Sequence, residues 1–168
     1  MFGSYLNDVQ QTEVGLALVL GAISIVLQGR GKDKSALWVL LGAALVLRLF
    51  FALLDPYLNQ WDESWHAVAA KSMLTDPLVP RLFREEALPL PTDNWTLGHV
   101  WLHKQPFFLW LMALSMKLFG VSVFSVRLPS VLFSTALVFF THGIGQALHG
   151  RWVPYLAALR TRDARWSL

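Results

Sequence analysis

Residues 36–54 read ALWVLLGAALVLRLFFALL, a nearly continuous run of apolar side chains whose single charge is Arg48. An α-helix rises about 1.5 Å per residue, and the hydrocarbon core of a bilayer is about 30 Å thick. A run of 19 residues is therefore long enough to cross the membrane as a helix. This stretch predicts a membrane-spanning helix and places the chain among membrane proteins.

The composition agrees with this interpretation. Of the 168 residues, 55% are hydrophobic and 15% are charged, and the mean hydropathy is +0.46, which fits an ordinary soluble domain poorly. The net charge is only +3, and the basic residues are scattered among apolar segments, so no nucleic-acid-binding face is expected. The sequence contains no cysteine, which excludes disulfides and thiolate metal sites.

Three further apolar segments predict an all-α, polytopic integral membrane protein. Val14–Leu27 has 14 residues and is either a short span or an interfacial helix. Pro106–Phe119 is also 14 residues long and contains Lys117, which favours a re-entrant or juxtamembrane helix over a crossing. Residues 126–148 are long enough to span, with Pro129 in the first turn, where proline is tolerated.

The distribution of charge predicts the orientation. Residues 29–35 contain three basic side chains, whereas the segment before residue 14 contains two acidic ones and no lysine or arginine. Because cytoplasmic loops are enriched in lysine and arginine, residues 29–35 are predicted to be cytoplasmic. The connection 55–105 then begins on the opposite side, and its four tryptophans favour a position at the membrane surface.

These assignments divide the chain into three regions. Residues 1–35 form an N-terminal segment with a short apolar helix or span and a basic cytoplasmic loop. Residues 36–151 form a membrane region with a span at 36–54, an outer loop with juxtamembrane helices at 55–125, and a span at 126–148. Residues 152–168 start a new apolar segment that breaks off into RTRDARWSL, and they are interpreted as a truncated or aberrant tail.

Ionisable residues cluster just after the first long span, in WDESWHAVAAKSM at 61–73. Asp62 and His66 are four residues apart and share one face of a helix, with Glu63 beside them. Such a set can bind a divalent cation or act in proton transfer. The alternatives are that the two acids cap the helix, that His66 is a hydrogen-bonded interfacial side chain, and that Lys71 extends to the membrane interface.

A second cluster, HVWLHKQP at 99–106, precedes the short apolar segment. His99 and His103 have the spacing of a metal pair on a helix, but Pro106 favours an extended or turn conformation. Lys104 is a candidate for holding a phosphate near a helix N-terminus, with interfacial anchoring as the alternative. Arg127, at the beginning of the next span, is likewise a candidate either for phosphate binding or for interfacial anchoring.

Taken together, RLFFALLDPYLNQWDESWHAVAAKSM and HVWLHKQPFFLWLMALSMKLFGVSVFSVRLPS resemble a known family. They are similar to the N-terminal part of bacterial GT-C glycosyltransferases of the family-39 kind, relatives of the protein O-mannosyltransferases and the lipid A aminoarabinose transferases. The resemblance covers roughly residues 40–150. It implies the N-terminal portion of a GT-C fold, with a long non-cytoplasmic loop that carries juxtamembrane helices.

The resemblance also implies a reaction and its participants. These are multi-pass enzymes of the cytoplasmic (inner) membrane, which move a sugar from a polyprenyl-phosphate carrier to lipid A, another glycan or a protein on the periplasmic or extracellular side. Asp62 would be the catalytic base with Glu63 as its neighbour. Lys104, Arg127 and Lys71 would bind the donor phosphate. A divalent metal ion held by His66 and His103 is left open, because some relatives have an acidic residue near the position of His103.

Two other functions stay open on the sequence. One is a non-catalytic membrane subunit that binds the lipid carrier, or an inactive truncated product, since family members continue through many further spans. The other is a membrane metalloenzyme built on Asp62, His66, His99 and His103, against which the absence of an HExxH element counts.

Overall fold

A computed structural model of the chain describes residues 8–82, 100–101 and 105–149. Within these ranges the chain is helical, and its β-structure is limited to one isolated antiparallel bridge between Arg81 and Val100. The predicted all-α class is confirmed. The five helices are α1 (Asp8–Gly29), α2 (Asp33–Leu54), α3 (Asp62–Ser72), α4 (Pro106–Phe119) and α5 (Val123–His149).

Three of these helices are long and apolar enough to cross a membrane. The qualifying segments are Gln11–Gly29, Asp33–Leu54 and Val123–Ala147. The first of them is longer than the 14 residues predicted, because α1 continues through its polar N-terminal turn. Of the two predicted alternatives, this length favours a span and not an interfacial helix. Helix α4 has the predicted bounds, and with 14 residues it remains shorter than these three segments.

The start of α5 differs from the prediction. Ser122 and Ser125 form a reciprocal cap, in which the Ser122 hydroxyl accepts the Ser125 N–H at 3.2 Å and the Ser125 hydroxyl accepts the Ser122 N–H at 3.0 Å. The helix therefore begins at Val123, three residues before the predicted span. Pro129 consequently lies inside the helix and not in its first turn, so the prediction of its position was wrong.

The chain separates into two compact units. The first contains residues up to Leu54 and from Ser130 onward, and the second contains Asp55–Pro129. In the first unit α1 and α2 pack against each other across a tight turn of three residues, Arg30 to Lys32. Gly31 adopts φ +80° in this turn, a conformation that glycine enters without steric cost.

The buried contacts of the first unit are made by small and aliphatic side chains. Ala36, Leu40 and Ala44 of α2 pack with Val138 of α5 in a fully buried cluster. The buried Ser24 hydroxyl of α1 donates to the carbonyl oxygen of Ala36 at 2.6 Å. In an apolar environment such a bond satisfies a hydroxyl that has no water to pair with.

The second unit packs α3 against α4. Its core is formed by buried residues of the two helices and of the neighbouring segments: Ala67, Ala69 and Ala70 of α3, Met73 at the C-cap of α3, Leu109, Met112, Ala113 and Met116 of α4, and Leu82, Trp101 and Val126. The Trp110 indole N–H donates to the carbonyl oxygen of Pro77 at 2.6 Å and ties α4 to the segment after α3. Helix α4 ends at Gly120, whose φ of +81° and ψ of 166° lie in a region that is essentially restricted to glycine.

Candidate functional site

The acidic pair lies at the start of α3, which follows shortly after the end of α2. Helix α2 stops at Leu54, two residues before Pro56, which disfavours helical conformation in its predecessor. Asp62 and Glu63 then occupy the first turn of α3, where negative charge interacts favourably with the helix dipole. No side chain caps this helix from the N-cap position, Trp61. The start of α3 is stabilised instead by the contacts of Glu63.

Glu63 and Arg127 form a bidentate ion pair within the second unit. The Arg127 Nε donates to Glu63 Oε1 at 2.5 Å, and Nη2 donates to Oε2 at 3.0 Å. The Glu63 Oε2 atom also accepts the backbone N–H of Asn59 at 2.8 Å. The Glu63 and Arg127 side chains are only 24% and 16% exposed, so both charges are largely shielded from water. Glu63 therefore accepts three hydrogen bonds and has little capacity left for another ligand.

The same guanidinium group holds the chain between α2 and α3. Its Nη1 atom donates to the carbonyl oxygen of Asp55 at 2.7 Å, and Nη2 donates to that of Tyr57 at 2.8 Å. The Asp55 carboxylate in turn accepts the backbone N–H of Tyr57 at 2.9 Å. The group called here the Arg127 clamp thus consists of Arg127, Glu63 and the carbonyl groups of Asp55 and Tyr57.

These contacts change the titration of Glu63. Burial raises the pKa of its carboxyl group, but the hydrogen bonds from Arg127 and from the Asn59 N–H lower it, and the net effect places the pKa below the ordinary value of 4.5. Because the folded-state pKa is lower than the unfolded one, the ion pair stabilises the fold above the ordinary carboxyl pKa. This stabilisation is lost as the pH falls through the folded-state pKa.

We expect Glu63→Gln to lower the stability of the second unit at neutral pH by roughly 1.5–3 kcal/mol, the usual contribution of hydrogen bonds to a charged group. The fall in stability below pH 4.5 should be shallower in this variant than in the wild type, because one of the titrating carboxylates is gone. Thermal unfolding in detergent over this pH range measures both effects.

Asp76→Asn is the matched control for that experiment. It breaks the 3.1 Å ion pair between Asp76 and Arg81 in the same unit, where the two side chains are 40% and 39% exposed. Exposed pairs contribute about 0–1 kcal/mol, so this variant should behave like the wild type at neutral pH. Equal losses in Glu63→Gln and Asp76→Asn would contradict a special role for the Arg127 clamp in stability.

Asp62 is placed very differently from its neighbour. Its side chain is half-buried, and its carboxylate has no hydrogen-bond or ion-pair partner among the residues that the structure describes. The two adjacent carboxylates thus differ in their contacts, since Glu63 accepts three hydrogen bonds from Arg127 and Asn59, whereas Asp62 accepts none from the described residues. An uncommitted carboxylate beside a rigid anchor is suited to accept a proton from a bound hydroxyl group.

His66 lies one turn after Asp62, as the spacing predicts, but it contacts the backbone. Its Nδ1 forms a hydrogen bond with the carbonyl oxygen of Asp62 and not with the carboxylate. The imidazole also packs edge-on against the buried Trp101, with ring centroids 5.1 Å apart. Because a carbonyl oxygen can only accept, Nδ1 carries the proton in this bond, and Nε2 is the nitrogen left for other interactions.

A metal site is not assembled by the residues in the described ranges, where no group of three histidine or acidic side chains lies close enough to hold an ion. His66 and Asp62 alone would supply two ligands. His103 and His99, the other predicted ligands, lie outside the described residues, and so does Lys104. The possible divalent metal therefore remains a prediction.

The remaining phosphate-binding candidates are separated by the fold. Lys71 is exposed in the last turn of α3, nine residues after Asp62, which at about 100° and 1.5 Å per residue puts it on the opposite face and roughly 14 Å along the axis. Arg127 is close to the acidic pair, but its donors engage Glu63 and two carbonyl groups. Lys71 is therefore distant from Asp62, and the donors of Arg127 are engaged by protein groups.

Sequence reasoning missed two parts of this arrangement. The Glu63–Arg127 pair joins residues 64 positions apart, and no local pattern connects them. A signal was present, because an arginine at the beginning of a span is costly unless it is paired, and the nearest outer loop is rich in acids. Trp101, which contacts His66, was noted only as one of several interfacial tryptophans, and its role depends on the bridge that returns the chain to Arg81.

Comparison with known proteins adds a family similarity. A family model described as dolichyl-phosphate-mannose-protein mannosyltransferase matches residues 103–162, just over a third of the chain. The matched segment contains α4, α5 and thus Arg127, whereas Asp62 and Glu63 precede it. It extends beyond residue 152, where the sequence analysis placed an aberrant tail. No curated protein and no solved structure matches the chain.

Proposed function

We propose that the chain acts as a membrane glycosyltransferase that moves a sugar from a polyprenyl-phosphate carrier to a lipid, glycan or protein acceptor. One observation carries this proposal. The bidentate bond between Glu63 and Arg127 joins the acidic pair to the segment that is similar to the mannosyltransferase family. Asp62 directly precedes the paired Glu63, and its carboxylate has no partner among the described residues, which supports a role for it in the proposed reaction.

The proposed chemistry uses Asp62 as the base. Asp62 takes the proton from the acceptor hydroxyl while the oxygen attacks the anomeric carbon of the sugar. The bond between that carbon and the phosphate oxygen breaks, and the electron pair leaves with the polyprenyl phosphate. A single in-line displacement inverts the anomeric centre. General-base assistance is needed because a neutral hydroxyl is a weak nucleophile.

The departing phosphate carries negative charge, so a cation beside it is needed to stabilise it. This electrostatic stabilisation is stronger in a site that excludes much of the water. Lys104, inside the family-matched segment, is the predicted cation for this task. Lys71 and Arg127 are less suitable, for the geometric reasons given above. A divalent ion would serve the same purpose, but the described residues do not assemble a site for one.

The proposed location is the cytoplasmic membrane, with the second unit on the periplasmic or extracellular side. The three basic residues at 30, 32 and 34 in and beside the turn between α1 and α2 support a cytoplasmic turn. The start of α3 then lies near the opposite surface, where the headgroup of a lipid-linked donor resides. Extracting the lipid tail would cost about 0.8 kcal/mol for each CH₂ group, so the chemistry is expected at the membrane surface.

A transfer assay tests this function. The protein is reconstituted in lipid vesicles with a polyprenyl-phosphate-linked radiolabelled sugar and a membrane extract as the source of acceptor. We expect release of polyprenyl phosphate coupled to the appearance of label in the acceptor fraction. Saturable binding of the donor without release of polyprenyl phosphate would instead support a non-catalytic carrier-binding subunit.

A further inference from the structure

The Arg127 clamp has a geometry that few residues other than arginine could produce. The planar guanidinium makes four hydrogen bonds at 2.5–3.0 Å to a carboxylate and two carbonyl oxygens. A lysine would place one ammonium group with three donors at the end of a flexible chain, and it could not reproduce the parallel pair of bonds to the carboxylate. The clamp therefore depends on the planar shape of the arginine side chain as well as on its positive charge.

The clamp connects three separate segments of the second unit. Arg127 is the fifth residue of α5, Glu63 is in the first turn of α3, and Asp55 and Tyr57 belong to the connection that precedes α3. Helix α3 has no side-chain cap at Trp61, and these contacts hold its first turn together with the bonds from the Asn59 N–H to Glu63 and from the Ser64 N–H to the Asn59 carbonyl oxygen. Asp62 is the immediate neighbour of the anchored residue.

We infer that Glu63 and Arg127 are a positioning pair for Asp62, which they hold in its reactive orientation without themselves exchanging a proton with substrate. This inference rests on the proposed function, because it assigns Asp62 to the reaction. It also gives a physical reason why the two neighbouring acids would have different roles. Both Glu63 oxygens are hydrogen-bonded to Arg127, and one of them also to Asn59, whereas the Asp62 carboxylate is uncommitted among the described residues.

A displacement of about 1 Å of a catalytic group can lower a rate by about 100-fold. Loosening the first turn of α3 should thus act on the chemical step, while the donor still binds to groups elsewhere. The expected signature is a fall in kcat with little change in KM for the donor. A base, in contrast, would determine the acid limb of the pH–rate profile.

The experiment compares the Glu63→Gln, Glu63→Asp and Arg127→Lys variants of the protein in lipid vesicles, with rates expressed per folded molecule. Glu63→Gln and Arg127→Lys should lower kcat by about 10- to 100-fold, with the donor KM within about threefold of the wild type. The acid limb of the profile should persist in Glu63→Gln. Glu63→Asp, which retains the charge, should recover a substantial part of the rate.

Asp76→Asn again serves as the control, since it removes an exposed ion pair of the same unit. The inference is overturned if the kcat of Glu63→Gln and Arg127→Lys matches that of Asp76→Asn, or if the acid limb disappears in Glu63→Gln. If Glu63→Gln does not fold, Glu63→Asp and Arg127→Lys, which keep both charges, carry the same comparison. Absence of transfer by the wild type is a separate result, which rejects the proposed function itself.

Discussion

Replacing Asp62 by asparagine is expected to lower sugar transfer by about 10²- to 10⁴-fold, the usual contribution of a general base. Asparagine has nearly the same shape, but it cannot accept the proton of the acceptor hydroxyl. The carboxylate makes no hydrogen bond or ion pair with the described residues, so its removal should leave the fold intact. The measurement is kcat/KM of the protein in lipid vesicles, together with binding of the polyprenyl-phosphate sugar.

Two control measurements test whether Asp62 acts as the base. Donor affinity should be unchanged in Asp62→Asn, because the base acts on the acceptor and not on the carrier. Asp76→Asn, the loss of another acid from the same unit, should transfer sugar at nearly the wild-type rate. If Asp62→Asn retains more than about a tenth of the wild-type kcat/KM, Asp62 is not the base.

Labelling of introduced cysteines should place the second unit on the non-cytoplasmic side. The chain has no cysteine of its own, so each introduced thiol reports on a single position. Thr75→Cys lies at an exposed position just after α3, and Ser35→Cys lies at an exposed position at the start of α2. We expect a membrane-impermeant maleimide to label Thr75→Cys in intact cells and to label Ser35→Cys only after the cells are opened.

The physical reason is the asymmetry of basic residues around α2, which favours a cytoplasmic position for its N-terminal end. Labelling of both variants after the cells are opened verifies that each thiol is reactive. The opposite pattern, with Ser35→Cys labelled in intact cells and Thr75→Cys protected, would put Asp62 in the cytosol. A role in transfer to an acceptor outside the cytoplasmic membrane would then be untenable.

The helices were the most predictable part of this molecule, because apolar runs and proline positions act locally. Pro106 marks the first residue of α4, as predicted, and the acids of α3 lie in its first turn. The errors occurred where polar residues extend a helix. Helix α1 includes a polar first turn that a hydropathy argument excludes, and α5 starts at a serine cap that lies outside the apolar run.

The different hydrogen bonding of Asp62 and Glu63 could not be predicted from the residue pattern, although the family resemblance already assigned the base to Asp62. Both are acids in the same helical turn, and the spacing argument treats them almost alike. What separates them is a partner 64 residues away from Glu63, which is known only once α5 is placed in the same unit as α3. For the same reason Arg127 was predicted to bind phosphate, whereas in the structure its donors are engaged by protein groups.

The three-residue turn between α1 and α2 has a consequence for how the chain reaches the bilayer. So short a connection has no slack, and the Ser24 hydroxyl already joins the two helices near it. We therefore expect the two helices to enter the bilayer together as one helical hairpin. During biogenesis the orientation of α2 would then be fixed together with that of α1, by a single topological decision at the translocon.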